Sequence, residues 1–585
     1  MDKPKIIPEL VTFPSVPENS IVPWTFSRGT FERLCTAPSA SGSANDHHPL
    51  LQVDYIARYL QHLECTVLFV ERHYVDKDYR ADFGRFYAQG LAGYPPYCQR
   101  IHCFRSEVSA GALFTKIRRQ REQLAGLDAS QLAKQLPALQ ARISSDYLGF
   151  VVVRPLPRAP IGRTVLRPPH AAADNEGLRI HTARPHPVHF MGVELTVEGV
   201  EFAQQDHAGS ACATVALWTA LHTLKEPRGV PTTPADITTF ATEQTHSYGR
   251  VFPPGSRSLT LDQMCDAVGH VGFTPYLISH GDEAPTAGRV RNGSAQGSRE
   301  TLLAHLVVAI ASPLPCVAIV DKLLAEEKDY HAVAVLGGEL TGDPVRKGDA
   351  ETGLKTLFLH DDLLGPYAQA DLVGSRYMPL KKANALLREE WRTRYGSSSA
   401  APRIARSDVA FMVEDRGSSG LLDVYVVRAL LMPLPPDVHL TPGDLLRLSI
   451  RHVVNPASTA VPESNAIGAR VRIRPAAAYI KELLFQARGL DAEQRQVIAS
   501  TLALSRYVGV VHLEVEGRRV CDIVFDTTTS DLHPTPLAVI GFSPDGARPV
   551  AERVFPRLIE CWRDILDTFF KAGPPVRRIL PSVLS

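Results

Sequence analysis

The stretch QQDHAGSACATVALWTALHTL, residues 204–224, runs from a polar, glycine-containing segment into a long apolar helix. One cysteine, Cys212, stands at the junction, and Ser210 is the expected N-cap of the helix. A cysteine on an apolar helix is usually a small core residue. At a helix N-terminus, however, unpaired N–H groups and the helix dipole favour the thiolate, which is the reactive form. The stretch therefore raises two hypotheses for Cys212, a packing residue or a nucleophile.

Length and charge narrow the class of protein. With 585 residues, the chain is too long for one compact domain. It has 63 Lys and Arg against 62 Asp and Glu, so its net charge of +1 predicts neither nucleic acid nor an anionic membrane as the main partner. The start of the sequence lacks the apolar core of a signal peptide. No run reaches the roughly 18 apolar residues that a membrane span needs.

The cysteines point to a reducing compartment. There are nine of them, an odd number, at irregular spacing and without a CxxC pair. That pattern argues against a disulfide framework and against a cysteine-based zinc site. We therefore expect a cytoplasmic protein, in which a thiolate can persist.

Periodicity predicts an α+β fold in three segments. Residues 1–169 mix amphipathic helices with β-branched strands and are expected to form an N-terminal α+β domain. Residues 170–187 carry Pro, Gly and charge without periodicity and are predicted to be a linker. In residues 188–377, helices come first and paired strands later, which indicates an α+β domain. Residues 378–585 are predicted to be a third α+β domain, in which we recognise no chemistry.

A nucleophilic cysteine needs a base, and His331 is the best candidate. A hairpin with its turn at Glu198-Gly199 is expected to deliver the chain to the Cys212 helix. His331 opens the strand HAVAVLGGEL, where its side chain can face a cleft rather than the core. There it would take the proton of the thiol and later give it to the leaving group.

The next strand, LKTLFLHDDLLGPY, ends in two candidates for the residue that holds the imidazole, Asp361 and Asp362. We expect them to approach His331 only if the loop crosses back or the ladder is staggered. Gln205, together with the backbone N–H of the cysteine, is the candidate donor to a developing oxyanion. Gln204 is the alternative for that role.

Three stretches, FAQQDHAGSACATVALWTAL, DYHAVAVLGG and LFLHDDLLGPY, resemble in this order the signatures of papain-fold cysteine peptidases, closest to the bacteriocin-leader-processing branch. That family has a glutamine before a helix-opening cysteine, a histidine leading an apolar strand, and an aspartate shortly before a glycine. The resemblance covers residues 188–375 and implies a papain-like domain flanked by the two other α+β domains. It implies Cys212 as nucleophile, His331 as base, Asp361 as orienting residue and Gln205 as oxyanion donor.

The sequence therefore predicts a cysteine peptidase, or a related thiol acyl-transfer enzyme, that cleaves a peptide or isopeptide bond. A protein or peptide is the expected substrate, no cofactor is expected, and the flanking domains are candidates for binding a partner protein. Two alternatives stay open. One is a catalytically inert papain-like binding or regulatory module, and the other is acyl transfer to an amine, as in transglutaminase-like chemistry.

Histidines and acidic residues also gather around the predicted linker. A metal is the chemistry that such a group would suggest, but the spacing follows no zinc pattern and the segment is rich in proline, so we expect no metal site. The residues concerned are His170, Asp174, Glu176, His181, His186 and His189.

Overall fold

The fold is mixed α+β, as expected. The computed structural model describes residues 21–36, 50–90, 93–125, 127–169, 178–206, 212–224, 232–243, 259–280, 296–312, 314–325, 330–340, 353–396, 400–414, 421–460, 467–515, 518–528, 536–542, 556, 560 and 577–579. Within these residues the strands form three sheets, and helices pack against them. None of the helices in the described ranges is both long and apolar enough to cross a lipid bilayer.

The chain as far as the end of β8 builds the first sheet. Its elements are β1 (Ile21–Thr25), α1 (Arg28–Thr36), α2 (Leu51–His62), β2 (Val67–Tyr74), α3 (Lys77–Asp82, prolonged by a π-helical turn over Phe83–Tyr87), β3 (Cys98–Phe104), α4 (Ala110–Ala125), α5 (Ala129–Asp146), β4 (Tyr147–Val153), β5 (Ile161–Leu166), β6 (Leu178–Arg179), β7 (Arg184–Phe190) and β8 (Val193–Phe202). The order in the sheet is β1-β2-β3-β4-β5-β8-β7, and β6 belongs to the second sheet.

The second sheet is a barrel. The next elements are α6 (Cys212–His222), α7 (Pro234–Thr242), α8 (Leu261–Val271), β9 (Thr274–His280), β10 (Gln296–Gly297), α9 (Arg299–Ala311), β11 (Cys316–Lys322), β12 (Tyr330–Leu340), β13 (Leu354–Asp361), β14 (Gly365–Leu372), α10 (Leu380–Tyr395), β15 (Ala410–Glu414) and β16 (Leu421–Leu434). Strands β11, β12, β13, β14, β15 and β16 pair in that order, and β16 pairs back with β11, so this ring closes.

The rest of the chain forms the third sheet, in the order β17-β18-β19-β20-β21. Its elements are α11 (Pro442–Ser449, prolonged by a π-helical turn over Ile450–Val454), α12 (Asn455–Ala460), β17 (Ile467–Pro475), α13 (Ala476–Phe485), α14 (Ala492–Thr501), β18 (Tyr507–Val515), β19 (Arg518–Asp526), β20 (Pro536–Gly541) and β21 (Arg577–Ile579). Apolar residues of β17, β18 and β19 share one core with α9 and the barrel strands.

The first sheet is buried on both faces, which explains the uninterrupted apolar run YLGFVVV of β4. Phe150 and Val152 pack in one core with helices α4 and α5. Val151 and Val153 lie in another core, which includes α2 and residues of β12 and β13 in the barrel. The first sheet and the barrel are therefore joined by packed apolar side chains.

Sheet membership does not follow the predicted segment boundaries. The predicted linker, residues 170–187, is wrong for its described part, because β6 pairs with β12 and β7 begins at Arg184. Residues 170–177 lie outside the described residues. The end of β7 and all of β8 join the first sheet although the central segment was predicted to begin at residue 188. β15 and β16 close the barrel although that segment was predicted to end at residue 377. That each segment folds on its own stays a prediction.

The hairpin of β7 and β8 exists, but its turn lies at Met191-Gly192 and not at the predicted Glu198-Gly199. Both central residues have positive φ, 50° and 77°, as in the type I′ turns whose twist fits that of the strands. β8 runs straight through Gly199. A Cβ there would lie 2.6 Å from the Leu166 carbonyl oxygen, so this glycine serves close strand packing and not a turn.

Candidate active site

Cys212 is the first residue of α6. Every residue of this helix is buried, because it packs between the barrel strands β11 and β12 on one side and helices α7 and α8 on the other. A helix that is enclosed all round needs the continuous apolar sequence CATVALWTALH. Cys212 itself is 7% exposed. The expected N-cap, Ser210, lies outside the described residues.

His331 is the second residue of β12, the strand against which α6 packs. Its side chain is buried and joins two partners. Nε2 lies 2.9 Å from Asp361 Oδ1, and the Cys212 side chain is hydrogen-bonded to the imidazole. Because Nε2 faces the carboxylate, Nδ1 is the ring nitrogen left for the thiol.

The antiparallel ladder of β12 and β13 brings the aspartate to the histidine. Ala334 lies opposite His360, so the end of β13 lies beside the start of β12. The expectation that a crossing loop or a staggered ladder would be needed is wrong, since antiparallel neighbours place these two ends together without either device. After Asp361 the chain turns, and the Leu363 N–H donates to Asp361 Oδ1 at 3.0 Å.

Asp361 has a further partner that the sequence did not reveal. Tyr425, on β16, donates its hydroxyl to Asp361 Oδ2. Asp361 is fully buried, so this bond satisfies an oxygen that would otherwise lack a partner. Residues 378–585, in which the sequence indicated no chemistry, thus contribute a side chain that contacts the His331–Asp361 pair. A signal existed, because a tyrosine inside the buried run VYVVRALLM needs a partner for its hydroxyl.

Burial and charge oppose each other at His331. Burial would lower the pKa of the imidazole, but the Asp361 carboxylate and the hydrogen bonds with Asp361 and Cys212 outweigh it and hold the pKa of His331 well above its usual value. Burial would raise the pKa of Asp361, yet His331 and the Tyr425 hydroxyl lower it to about 2. Their mutual interaction therefore favours the charged form of both partners, the imidazolium and the carboxylate.

Asp362 stands in a different relation to the histidine. Its Oδ1 lies 3.7 Å from His331 Nε2, too far for a hydrogen bond. Its Oδ2 is buried and has no hydrogen-bond partner among the described residues. Burial, followed by repulsion from Asp361, raises the pKa of Asp362 to about 7. Of the two candidates, Asp361 is the one in contact with the imidazole.

The two glutamines are placed differently as well. The Gln204 side chain is occupied, because its amide oxygen accepts from the Ile161 N–H at 3.3 Å and its amide nitrogen donates to the Arg158 carbonyl at 3.4 Å. The Gln204 amide therefore ties the end of β8 to the start of β5, and its alternative role as oxyanion donor stays a prediction. Gln205 follows it, partly exposed, in the segment that leads from β8 towards α6. Residues 207–211, between this segment and Cys212, lie outside the described residues.

One group in the described part of the chain has the spacing of metal ligands. Donor atoms of His331, Asp361 and Asp362 lie within 4.8 Å of one another. Two of these residues are already joined, and Asp361 also accepts from Leu363 and Tyr425. A cation would have to displace hydrogen bonds that satisfy fully buried atoms.

The histidines near the predicted linker do not form a second group. His181, His186 and His189 each contact a different carbonyl or carboxylate and share no ligand set within the described ranges. His170, Asp174 and Glu176 lie outside the described residues.

Comparison with known proteins does not identify a family for this chain. A scan against protein-family models found no match, and a search of the curated proteins found none either. The resemblance to papain-fold peptidases stays a prediction from the residues.

Proposed function

We propose that the protein is a cysteine peptidase or a closely related thiol acyl-transfer enzyme. Cys212 is the nucleophile, His331 the base and acid, and Asp361 the residue that orients and charges the imidazole. The observation that carries this proposal is one continuous chain of hydrogen bonds, from the Cys212 thiol through His331 and Asp361 to the Tyr425 hydroxyl. Four elements that are distant in sequence, α6, β12, β13 and β16, contribute to it.

The proposed reaction has two stages. In the first, the Cys212 sulfur attacks the carbonyl carbon of a peptide or isopeptide bond, and the His331 imidazolium gives its proton to the departing amine. In the second, His331 takes a proton from water and the hydroxide attacks the thioester. Collapse of the tetrahedral intermediate breaks the carbon–sulfur bond, releases the carboxylic acid and restores the Cys212 thiolate beside the His331 imidazolium. Asp361 keeps the imidazole in the orientation and charge state that both stages use.

Gln205 is proposed as a donor to the oxyanion of the tetrahedral intermediates. Its place in the chain before the nucleophile supports this role, and the engagement of the Gln204 amide with Ile161 and Arg158 favours Gln205 over Gln204. Preorganised donors of this kind contribute about 10²- to 10³-fold to turnover.

The flanking segments are proposed to complete the site and select its substrate. The protein or peptide substrate, the partner proteins of the flanks and a cytoplasmic setting are all part of this proposal. The eight cysteines in the described ranges are free thiols, which suits a reducing compartment.

The function is tested by searching for cleaved bonds. The protein is incubated with a complex peptide mixture, and new N-termini are identified by mass spectrometry, with Cys212→Ala as the matched control. New termini that appear only with the unaltered protein support a peptidase. A parallel reaction with added glycine methyl ester detects acyl transfer to an amine. If the products carry that amine and no new free carboxylates form, the reaction is acyl transfer and not hydrolysis.

One observation favours the inert module. Cys212 is only 7% exposed, and a thiol that no substrate reaches does no chemistry. A small alkylating reagent distinguishes the two functions, because it needs far less room than a peptide. If Cys212 reacts quickly with iodoacetamide but no peptide is cleaved, the thiol is activated and the substrate is narrow. If Cys212 reacts only after unfolding, the module is inert.

A further inference from the structure

The segment that carries Gln205 is anchored on both sides by the part of the chain that builds the first sheet. On one side, Gln204 continues the ladder with β5 and donates its backbone N–H to the Ile161 carbonyl at 3.1 Å. The Gln204 carbonyl accepts from Arg154 Nη2 at 2.9 Å. These bonds fix the backbone immediately before Gln205.

On the other side, Asp206 is anchored through its side chain. The carboxylate is fully buried, accepts a hydrogen bond from the Tyr87 hydroxyl at 2.5 Å and lies 3.8 Å from Arg154 Nη1. Tyr87 ends the π-helical turn after α3, and Arg154 directly follows β4. Both anchoring residues therefore belong to the N-terminal part of the chain, at least 50 residues before the segment that they hold.

Arg154 connects the two anchors with one guanidinium. Its side chain is 4% exposed, and its three nitrogens face three different oxygens, those of Ala159, Gln204 and Asp206. The stem passes closely over Gly162, where a Cβ would lie 2.9 Å from Arg154 Cγ. A planar guanidinium has donors in fixed directions, so it sets the relative position of these groups in a way that a lysine does not.

We propose that Arg154 and Tyr87 are positioning residues that fix the backbone on both sides of Gln205 and so hold its amide where the oxyanion forms. This inference rests on the proposed function of the Cys212 site. An oxyanion donor is effective only when it is held within a few tenths of an ångström of the developing charge, and neither neighbour of Gln205 can move while both anchors are in place. The N-terminal segment is then a working part of the site and not only a flank.

Two reagents separate this role from the reactivity of the thiol. Iodoacetamide alkylates Cys212 by displacement: a carbon–sulfur bond forms, iodide leaves, and no oxyanion is made. 4-Nitrophenyl acetate instead acetylates Cys212. Sulfur attacks the carbonyl carbon, a tetrahedral oxyanion forms, and its collapse expels 4-nitrophenolate and leaves the thioester, which water then hydrolyses to acetate and the free thiol. Only the second reaction uses the oxyanion donor.

The experiment measures both rates for Cys212 in the full chain, with mass spectrometry to confirm the site of modification. Gln205→Ala should slow acetylation by about 100-fold and leave alkylation unchanged. Tyr87→Phe and Arg154→Lys should each slow acetylation by about tenfold and also leave alkylation unchanged. Tyr79→Phe is the matched control, because its hydroxyl lies in the same region but donates to the Pro95 carbonyl, away from the Gln205 segment.

The outcomes are distinct. If neither reagent modifies Cys212 in the native protein, the proposed function itself fails. If both reagents modify it and Tyr87→Phe retains the full acetylation rate, the positioning role is refuted while the nucleophile stands. If Arg154→Lys loses both the alkylation and the acetylation of Cys212 and also its melting transition, the substitution has unfolded the protein. Tyr87→Phe, which removes a single hydroxyl, then decides the question.

Discussion

The barrel and the third sheet each bury a histidine against an aspartate that also accepts a tyrosine hydroxyl. In the barrel, His331 and Asp361 form the central pair, and Tyr425 is its tyrosine. In the third sheet, His512 and Asp522 form the C-terminal pair, and Tyr479 is its tyrosine. In the C-terminal pair, His512 Nδ1 lies 2.6 Å from Asp522 Oδ1. All of these side chains are buried.

What separates the two pairs is an arginine. Arg519 donates Nε to Asp522 Oδ1 at 2.7 Å and also contacts the other carboxylate oxygen. Burial, and then the positive charges of Arg519 and Arg472, outweigh Asp522 and lower the pKa of His512 to about 4. The central pair has no arginine in contact with Asp361 among the described residues, and the pKa of its histidine is held well above the usual value.

The comparison shows that a buried His–Asp hydrogen bond does not by itself make a base. The charge of the aspartate must be available to the histidine, and a thiol must be within its reach. The central pair has both, whereas the C-terminal pair has its aspartate neutralised by Arg519, and His512 Nε2 has no hydrogen-bond partner in the described part of the chain. We therefore propose chemistry for the first and a structural role for the second.

Removing either member of the Cys212–His331 pair should have the largest effect. Cys212→Ala and His331→Ala should each abolish turnover of 4-nitrophenyl acetate at this site, because residues that act as a unit are not additive. His512→Ala should leave that rate unchanged. Melting curves measured beside the rates separate chemistry from folding, and Cys212→Ala should change the free energy of unfolding by no more than about 1 kcal/mol. Equal loss of turnover in His512→Ala and His331→Ala, at unchanged Tm, would remove the distinction between the pairs.

Substituting the two aspartates should give opposite phenotypes. Asp361→Asn removes the charge that outweighs burial at His331, so Cys212 should react like an ordinary thiol. Such a thiol is only about 1% ionised at pH 6.5, so alkylation there should slow by up to about 100-fold. Asp522→Asn should leave alkylation unchanged but lower stability by about 1–3 kcal/mol, because Arg519 and the Tyr479 hydroxyl lose the buried carboxylate that they share, and Arg519 keeps, among the described residues, only its ion pair with Glu482. Alkylation kinetics and urea unfolding measure the two effects, and a stability loss without a rate loss in Asp361→Asn would contradict the assignment.

The two tyrosines offer a finer comparison. The Tyr425 hydroxyl stabilises the charged form of Asp361, so Tyr425→Phe should raise the pKa of that carboxyl. Because the carboxylate is needed, the acidic side of the pH–rate profile for Cys212 alkylation should move upward by about one pH unit. Tyr479→Phe, the matched change in the C-terminal pair, should leave the profile where it is. A shift of equal size in both variants would indicate a general loss of structure.

The smallest effect on rate is expected at Asp362. Burial holds the folded-state pKa of this carboxyl at about 7, above the unfolded value near 3.8, so the native state binds the proton more tightly. The stability that results is fully present below about pH 4 and is lost as the pH rises through about 7. Asp362→Asn stays neutral and should avoid this loss, so its Tm should exceed that of the unaltered protein at pH 8 but not at pH 4. A large loss of turnover in this variant would instead make Asp362 the orienting residue.

Local sequence predicted the elements that carry the candidate site, because each is encoded within a short window. The apolar run after Cys212 predicts α6, and the β-branched run after His331 predicts β12. The α+β class followed from such windows as well. One expectation about these elements is wrong, namely that the start of β12 and the end of β13 need a crossing loop or a staggered ladder to come together.

Contacts between distant parts of the chain were not predictable in this way. Tyr425 reaches Asp361 only because β16 closes the barrel, and Arg154 reaches Gln204 only because β8 joins the first sheet. Residues 178–187 look like a linker by composition, yet their strands are defined by the partners with which they pair. The turn at Met191-Gly192 was missed because Glu198-Gly199 has the more conventional turn sequence.

The central claim, that Cys212 and His331 work as nucleophile and base, is tested most directly by site-resolved alkylation of the native protein. Iodoacetamide is added at pH 6.5, and the labelling rate of each cysteine is followed by mass spectrometry. Cys212 should be labelled first, ahead of the partly exposed Cys265, whose pKa burial raises to about 12. In His331→Ala, the rate at Cys212 should fall by about 100-fold, to that of an ordinary thiol. Slower labelling of Cys212 than of Cys265, or an unchanged rate in His331→Ala, would contradict the account.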